Sequence, residues 1–136
     1  MLAFDKWTCN SDGRQAVFVK RRHERKYRAV FIDQGYCFNA GEWSFPDRPR
    51  GIYARNSVYE TVTGWEAFEP ALGLIERIDR SRMEELASRI PRIWYYDDVA
   101  ALTHVLDNLI ERRPKVRTLI TEFRHSSRDP FPHWMD

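Results

Sequence analysis

The sequence predicts an α+β fold, a small β-hairpin followed by a helical bundle. Three observations carry that expectation. Two runs rich in Val, Phe, Ile and Tyr, Ala16 to Lys20 and Tyr27 to Asp33, flank a polar segment as the strands of a hairpin do. From about residue 57 onward, apolar residues recur at three- and four-residue spacing, the period of amphipathic helices. Strands and helices are therefore segregated along the chain rather than alternating. The 136 residues, 43% apolar and 14% aromatic, suffice for one core and little more than one domain.

The elements follow in order. Leu2, Phe4 and Trp7 fall at helical or turn spacing and predict the tail of a helix, with something N-terminal to it missing from the chain. Between the two strands lies Lys20-Arg-Arg-His-Glu-Arg-Lys26, polar and strongly cationic, the natural turn of the hairpin. Residues 35 to 56 show no dominant period and hold Pro46, Pro49, Gly41 and Gly51 among aromatics. A loop of that length is expected to wrap a site. Asn56-Ser57 can cap a helix through Val58, Tyr59 and Val62 to Gly64. Trp65, Phe68, Leu72, Ile75 and Ile78 predict the next helix, with Glu69 or Pro70 as its true start. Asp79 or Ser81 caps a helix carrying Met83, Leu86, Ala87 and Ile90, and Pro91 stops it. Asp97-Asp98 opens another with Leu102, Val105, Leu106, Leu109 and Ile110. After Pro114, Val116, Leu119, Ile120 and Phe123 continue as a last helix, and residues 126–136 form an irregular tail. The aromatic stripe Trp43, Phe45, Tyr53, Tyr59, Trp65 and Phe68 is expected in the core, and Trp94-Tyr95-Tyr96 packed around a helix junction.

Composition narrows the function classes. Charged residues make up 31% of the chain, and no run approaches the roughly 20 apolar residues of a membrane span, so no membrane role is expected. The N-terminus lacks the basic and apolar regions of a secretory signal, which makes the cytoplasm the expected location. Cys9 and Cys37 then read as reduced residues filling core space.

Two stretches carry the candidate chemistry. Asn10-Ser-Asp12-Gly-Arg14-Gln15 leads into the first strand, and Phe31-Ile-Asp33-Gln-Gly35 ends the second. Their acids lie 21 residues apart, so a hairpin can bring Asp12 and Asp33 to one end of the ribbon. Paired acids of this kind suit magnesium-assisted phosphoryl transfer, one orienting the acceptor hydroxyl and the other holding the metal. The amide oxygen of Gln15 can add a metal ligand. Gly35 is expected to let the backbone turn sharply after the acid. Taken singly, Asp-Gly and Asp-x-Gly are ordinary turns.

These residues, with Phe4-Asp-Lys-Trp7, Tyr36-Cys-Phe38, Gly64-Trp-Glu-Ala-Phe-Glu-Pro70 and Ile90-Pro-Arg-Ile-Trp94, resemble the C-terminal lobe of HipA-like kinases over residues 1–125. The resemblance implies a protein-kinase-like C-lobe that uses ATP and Mg2+ to phosphorylate a hydroxyl of a protein substrate. By motif position Asp12 is the catalytic-loop acid (loop 10–19) and Asp33 the metal-loop acid (loop 30–38). Arg14, Gln15 and Asp33 would contact the cofactor, with Asp33 and Gln15 on the metal. The family usually has Asn where this chain has Gln15. Only eleven residues precede Asp12, and they hold no glycine-rich loop and no strand lysine for the phosphates. An N-lobe is therefore expected from a longer coding region or a separate chain, unless catalysis has been lost. An antitoxin-like protein is a further candidate partner. The alternative is a non-catalytic lobe remnant that binds protein or, less favoured, nucleic acid through the basic turn 20–28.

Overall fold

The computed structural model describes residues 1–11, 13, 15–47 and 56–135, with the backbone alone at Gln15 and Asn56. Helix α1 (Leu2–Trp7) precedes the strands β1 (Gln15–Val19) and β2 (Arg28–Ile32) and a short kinked helix α2 (Cys37–Ala40). Two 3-10 turns follow (Asn56–Tyr59 and Trp65–Ala67), then α3 (Glu69–Arg77) and α4 (Arg80–Ala87). A further 3-10 turn (Arg92–Tyr95) leads to α5 (Val99–Arg112) and α6 (Lys115–Arg124). Among the described residues the architecture is α+β: one two-stranded antiparallel sheet, with α1 before it and the other helices after it.

The strands pair from Gln15↔Ile32 to Val19↔Arg28. Val17, Phe18, Val19, Val30 and Ile32 all remain exposed, so the ribbon stands clear of the helical body on both faces. A two-stranded hairpin is marginal by itself, and what orders this one is its attachment at the foot.

Local chemistry sets the helix ends. Asp79 Oδ1 accepts the Arg82 backbone N–H at 2.7 Å to start α4, and Asp98 Oδ1 accepts that of Ala101 at 2.9 Å to start α5. Pro70 sits in the first turn of α3, where its missing N–H costs nothing. The helix expected from Asn56-Ser57 to Gly64 is not formed. A single 3-10 turn ends at Tyr59, because Thr61, Val62 and Thr63 are β-branched and Gly64 follows, a poor run for propagation.

The core lies where α1 meets α6 and α3. Val116, Ile120 and Phe123 are fully buried there, beside Ala3 and Leu72. Aromatic rings close one end: Phe123 meets Tyr59 edge-on at 5.8 Å and Phe131 at 5.6 Å. The tail is irregular, as expected, yet it docks. Phe131 is in the core, and the Met135 N–H donates to the Thr63 carbonyl at 2.8 Å. Of the expected aromatic stripe, Tyr59 and Phe68 are buried and Trp43, Phe45 and Trp65 half-buried, while Tyr53 lies outside the described residues. The expectation for Trp94-Tyr95-Tyr96 is overturned at Trp94 and Tyr96, while Tyr95 is half-buried. Trp94 is 74% and Tyr96 93% exposed, because the 3-10 turn and the left-handed Tyr96 (φ 53°) swing both rings off the body. Among the described residues no helix is long and apolar enough to cross a membrane.

Candidate functional site

The two acid-bearing stretches meet at the foot of the ribbon. β1 and β2 hold Gln15 opposite Ile32. Further down, the Ser11 N–H donates to the Tyr36 carbonyl at 3.1 Å. Beyond that, the Phe38 N–H donates to the Thr8 carbonyl at 2.8 Å and the Asn39 N–H to the Cys9 carbonyl at 3.2 Å. Described residues on both sides of position 12 are thus tied to the segment that carries Asp33. Asp12 and Arg14 lie outside the described residues, as does the Gln15 side chain.

Asp33 stands exposed just past β2 with a left-handed backbone (φ 57°). The chain turns again just after the acid, as expected, at Gly35-Tyr36, where the Cys37 N–H donates to the Gln34 carbonyl at 3.0 Å; Gly41, and not Gly35, is the glycine with positive φ among the described residues. Aspartate tolerates this region better than most side chains, since its short carboxylate can bond locally. A Cβ added at Gly35 would lie 3.5 Å from Asp33 Oδ1, an ordinary contact, so that position does not demand glycine. Farther on, Phe38, Asn39 and Ala40 are all left-handed (φ 57–59°) and Gly41 closes the turn at φ 83°. Non-glycine residues pay about 1 kcal/mol or more each for this conformation. The buried Asn39 side chain holds the turn, donating to Glu42 Oε2 at 2.6 Å and Ser44 Oγ at 2.9 Å.

Beneath these loops sits a polar layer that the sequence reading missed. Arg112, 4% exposed, reaches from the end of α5 to the C-terminus of α1. Its guanidinium donates to the carbonyls of Lys6 (2.9 Å), Trp7 (3.1 Å) and Phe45 (3.0 Å) and to Asp47 Oδ1 (2.7 Å). It caps the negative end of α1 and ties the long loop to it. Trp7 Nε1 returns a bond to the Leu109 carbonyl at 2.7 Å. A signal was available: Val105, Leu109 and Arg112 step along one helical stripe, so an arginine occupies an apolar position. Asp5 is buried too, its backbone carbonyl accepting the Asn10 N–H at 2.9 Å and its Oδ1 the Asn10 side-chain amide at 3.2 Å. Cys9 and Cys37 form no disulfide, Cys9 being buried with its Sγ donating to the Pro46 carbonyl at 3.2 Å and Cys37 half-buried.

Lys6 completes the layer, buried beside the Phe123 ring with Nζ 5.2 Å from its centroid. Burial pushes its ammonium down to about 8; Glu122 and Cys9 pull the value back up, and Arg112 lowers it further. Between pH 8 and the ordinary lysine value near 10.5, the unfolded chain binds a proton that the folded chain has released, so stability rises with pH across that window. Below pH 8 both states are protonated and the folded state bears the full cost of burying the charge. Lys6→Met is expected to remove that rise, of up to about 3 kcal/mol, from the difference between urea-unfolding free energies at pH 7.5 and 10. Identical pH dependence in variant and parent would contradict this.

Chemically, the foot of the ribbon offers Asp33 as an exposed hard oxygen donor just past β2. Among the described residues no group of three or more His, Cys, Asp or Glu forms a metal cluster. The other metal ligand expected from the sequence, the Gln15 amide, also presents oxygen, and an all-oxygen set suits magnesium. Comparisons with family models, with curated proteins and with solved structures find no match.

Proposed function

We propose that this chain is the C-terminal lobe of a HipA-like Ser/Thr protein kinase, which works with ATP and Mg2+ in the cytoplasm and phosphorylates a protein hydroxyl. The observation that supports this best is the lacing of the two acid-bearing stretches at one end of the ribbon, through Ser11–Tyr36, Thr8–Phe38 and Cys9–Asn39. That arrangement lets residues 21 positions apart serve one ligand. In this reading Asp12 orients the acceptor hydroxyl, Asp33 and Gln15 hold the metal, and Arg14 faces the nucleotide. Magnesium, when bound, neutralises the phosphates during transfer. The left-handed backbone at Asp33 and at residues 38–41 supports this reading, since it sets the direction in which the chain leaves the strand at the acid, and catalysis of this kind depends on positioning.

Phosphoryl transfer also needs donors around the phosphates, and none of these 136 residues forms a glycine-rich loop with a strand lysine ahead of Asp12. The 136 residues alone are therefore expected to show little or no kinase activity, and an N-lobe or antitoxin-like protein is a natural partner. In a polypeptide that joins them to a phosphate-binding lobe, Asp33→Asn is expected to lower metal-dependent phosphorylation by more than about 100-fold with the circular dichroism spectrum retained. Full activity in that variant would end the assignment of Asp33.

A further inference from the structure

The tip of the hairpin, residues 20–28, is assigned no part in phosphoryl transfer, yet it holds the densest charge in the molecule. Lys20, Arg21, Arg22, Arg25, Lys26 and Arg28 face a single acid, Glu24, which gives nine residues a net charge of +5 in a chain whose total is +2. Glu24 is occupied by Arg28 at 3.1 Å and by the Arg21 backbone N–H at 3.1 Å. Arg22, Arg25 and Lys26 make no ion pair among the described residues. An open concavity of about 510 Å³ lies against the tip, lined by Glu24, Arg25, Lys26, Tyr27 and Arg28.

The register adds what the sequence conceals. Ala16↔Phe31 and Phe18↔Ala29 share one face of the ribbon, and the next rung on that face is Lys20 with Tyr27. The Lys20 Nζ lies 5.4 Å from the Tyr27 ring centroid, as cross-strand neighbours should. Phe31, Phe18 and Tyr27 thus form an aromatic row leading to the cationic tip. Phe18 is 66% and Tyr27 67% exposed, and Phe31 is half-buried.

We propose that this hairpin binds single-stranded nucleic acid without sequence specificity, phosphates resting on Arg22, Arg25 and Lys26 and bases stacking on Phe18 and Tyr27. Cations of this density complement a phosphate backbone, and exposed rings on a strand face stack on any base. A duplex keeps its bases stacked on one another and leaves the rings uncovered. An acidic peptide would use the cations but not the aromatic row. The strand residues of this face are Ala and Phe, which offer no hydrogen bonds for reading base edges.

Fluorescence anisotropy of the whole chain with labelled oligo-U and oligo-dT of about 12 nucleotides tests the assignment. Saturable binding is expected, with log affinity falling against log salt at a slope of roughly −2 for three neutralised phosphates. Arg22→Gln with Arg25→Gln should flatten that slope by about 1.4. Phe18→Ala and Tyr27→Ala should each weaken binding about tenfold at unchanged slope. These side chains are exposed, and circular dichroism checks that each variant is folded. A preference between the two oligonucleotides identifies the sugar, and either result supports the surface. Equal affinity for a duplex of the same length, competition by polyglutamate at equal charge, ring variants that bind like the parent, or no binding at low salt would each overturn the proposal. No phosphoryl-transfer step enters this test, so its failure leaves Asp33 untouched.

Discussion

Replacing Arg112 with methionine is expected to destabilise the fold by about 3–5 kcal/mol, the scale for breaking a buried, fully bonded charge network. The side chain is 4% exposed and satisfies three backbone carbonyls as well as Asp47. Methionine fills much of the volume but leaves the Lys6, Trp7 and Phe45 carbonyls without their donor, away from water. Such a loss is a large share of the roughly 5–15 kcal/mol that holds a domain of this size. The damage should also be local. The Lys6 and Trp7 carbonyls close α1, and Thr8 and Cys9, the next residues, are those bonded to Phe38 and Asn39. Urea unfolding gives the global loss, and hydrogen exchange at the Phe38 and Asn39 amides gives the local one. Arg112→Lys keeps the charge but not the planar fork, so it should recover only part of either. A methionine variant as stable as the parent would show that α1 and the loops are held by apolar packing alone.

Phe123→Ala is expected to cost a similar amount, about 3–5 kcal/mol, for a different reason. The ring is fully buried on α6 and meets Tyr59 and Phe131 edge-on at 5.8 and 5.6 Å. Its removal opens a cavity between the helical body and the tail, and Phe131 loses a partner. The tail bond from Met135 to Thr63 depends on that docking, so tail amides should exchange faster than those of α5. A drop below about 1 kcal/mol by urea unfolding would mean that the aromatic cluster repacks around the gap.

Much of the helical part is legible in the sequence because its signals are local. Asp79 and Asp98 cap where a short acceptor precedes an apolar period, and Pro114 separates two helices because its ring cannot continue one. The hairpin follows from alternation and a cationic turn. Features set by tertiary packing were not legible. The period of Trp94 and Tyr96 looks like core, but the left-handed turn at Tyr96 and Asp97 directs them outward. Phe18 and Phe31 lie within the two strand runs, but it takes the register to put them on one face with Tyr27. The paired acids were half legible. Their spacing allows the two stretches to meet, while the lacing of Ser11 to Tyr36 joins residues 25 positions apart and the buried Arg112 beneath it joins Trp7 from 105 positions away.

The central claim is that the two acid-bearing stretches form one metal site. Manganese, a paramagnetic hard cation of magnesium's ligand preference, tests it directly on the 136-residue chain. Substoichiometric Mn2+ should broaden the backbone amide signals of Ser11 and of residues 34–36 together, ahead of those near other acids such as Asp97 and Asp98, and Asp33→Asn should abolish the effect. Broadening confined to one stretch, centred on another acidic group, or unchanged in Asp33→Asn would contradict it.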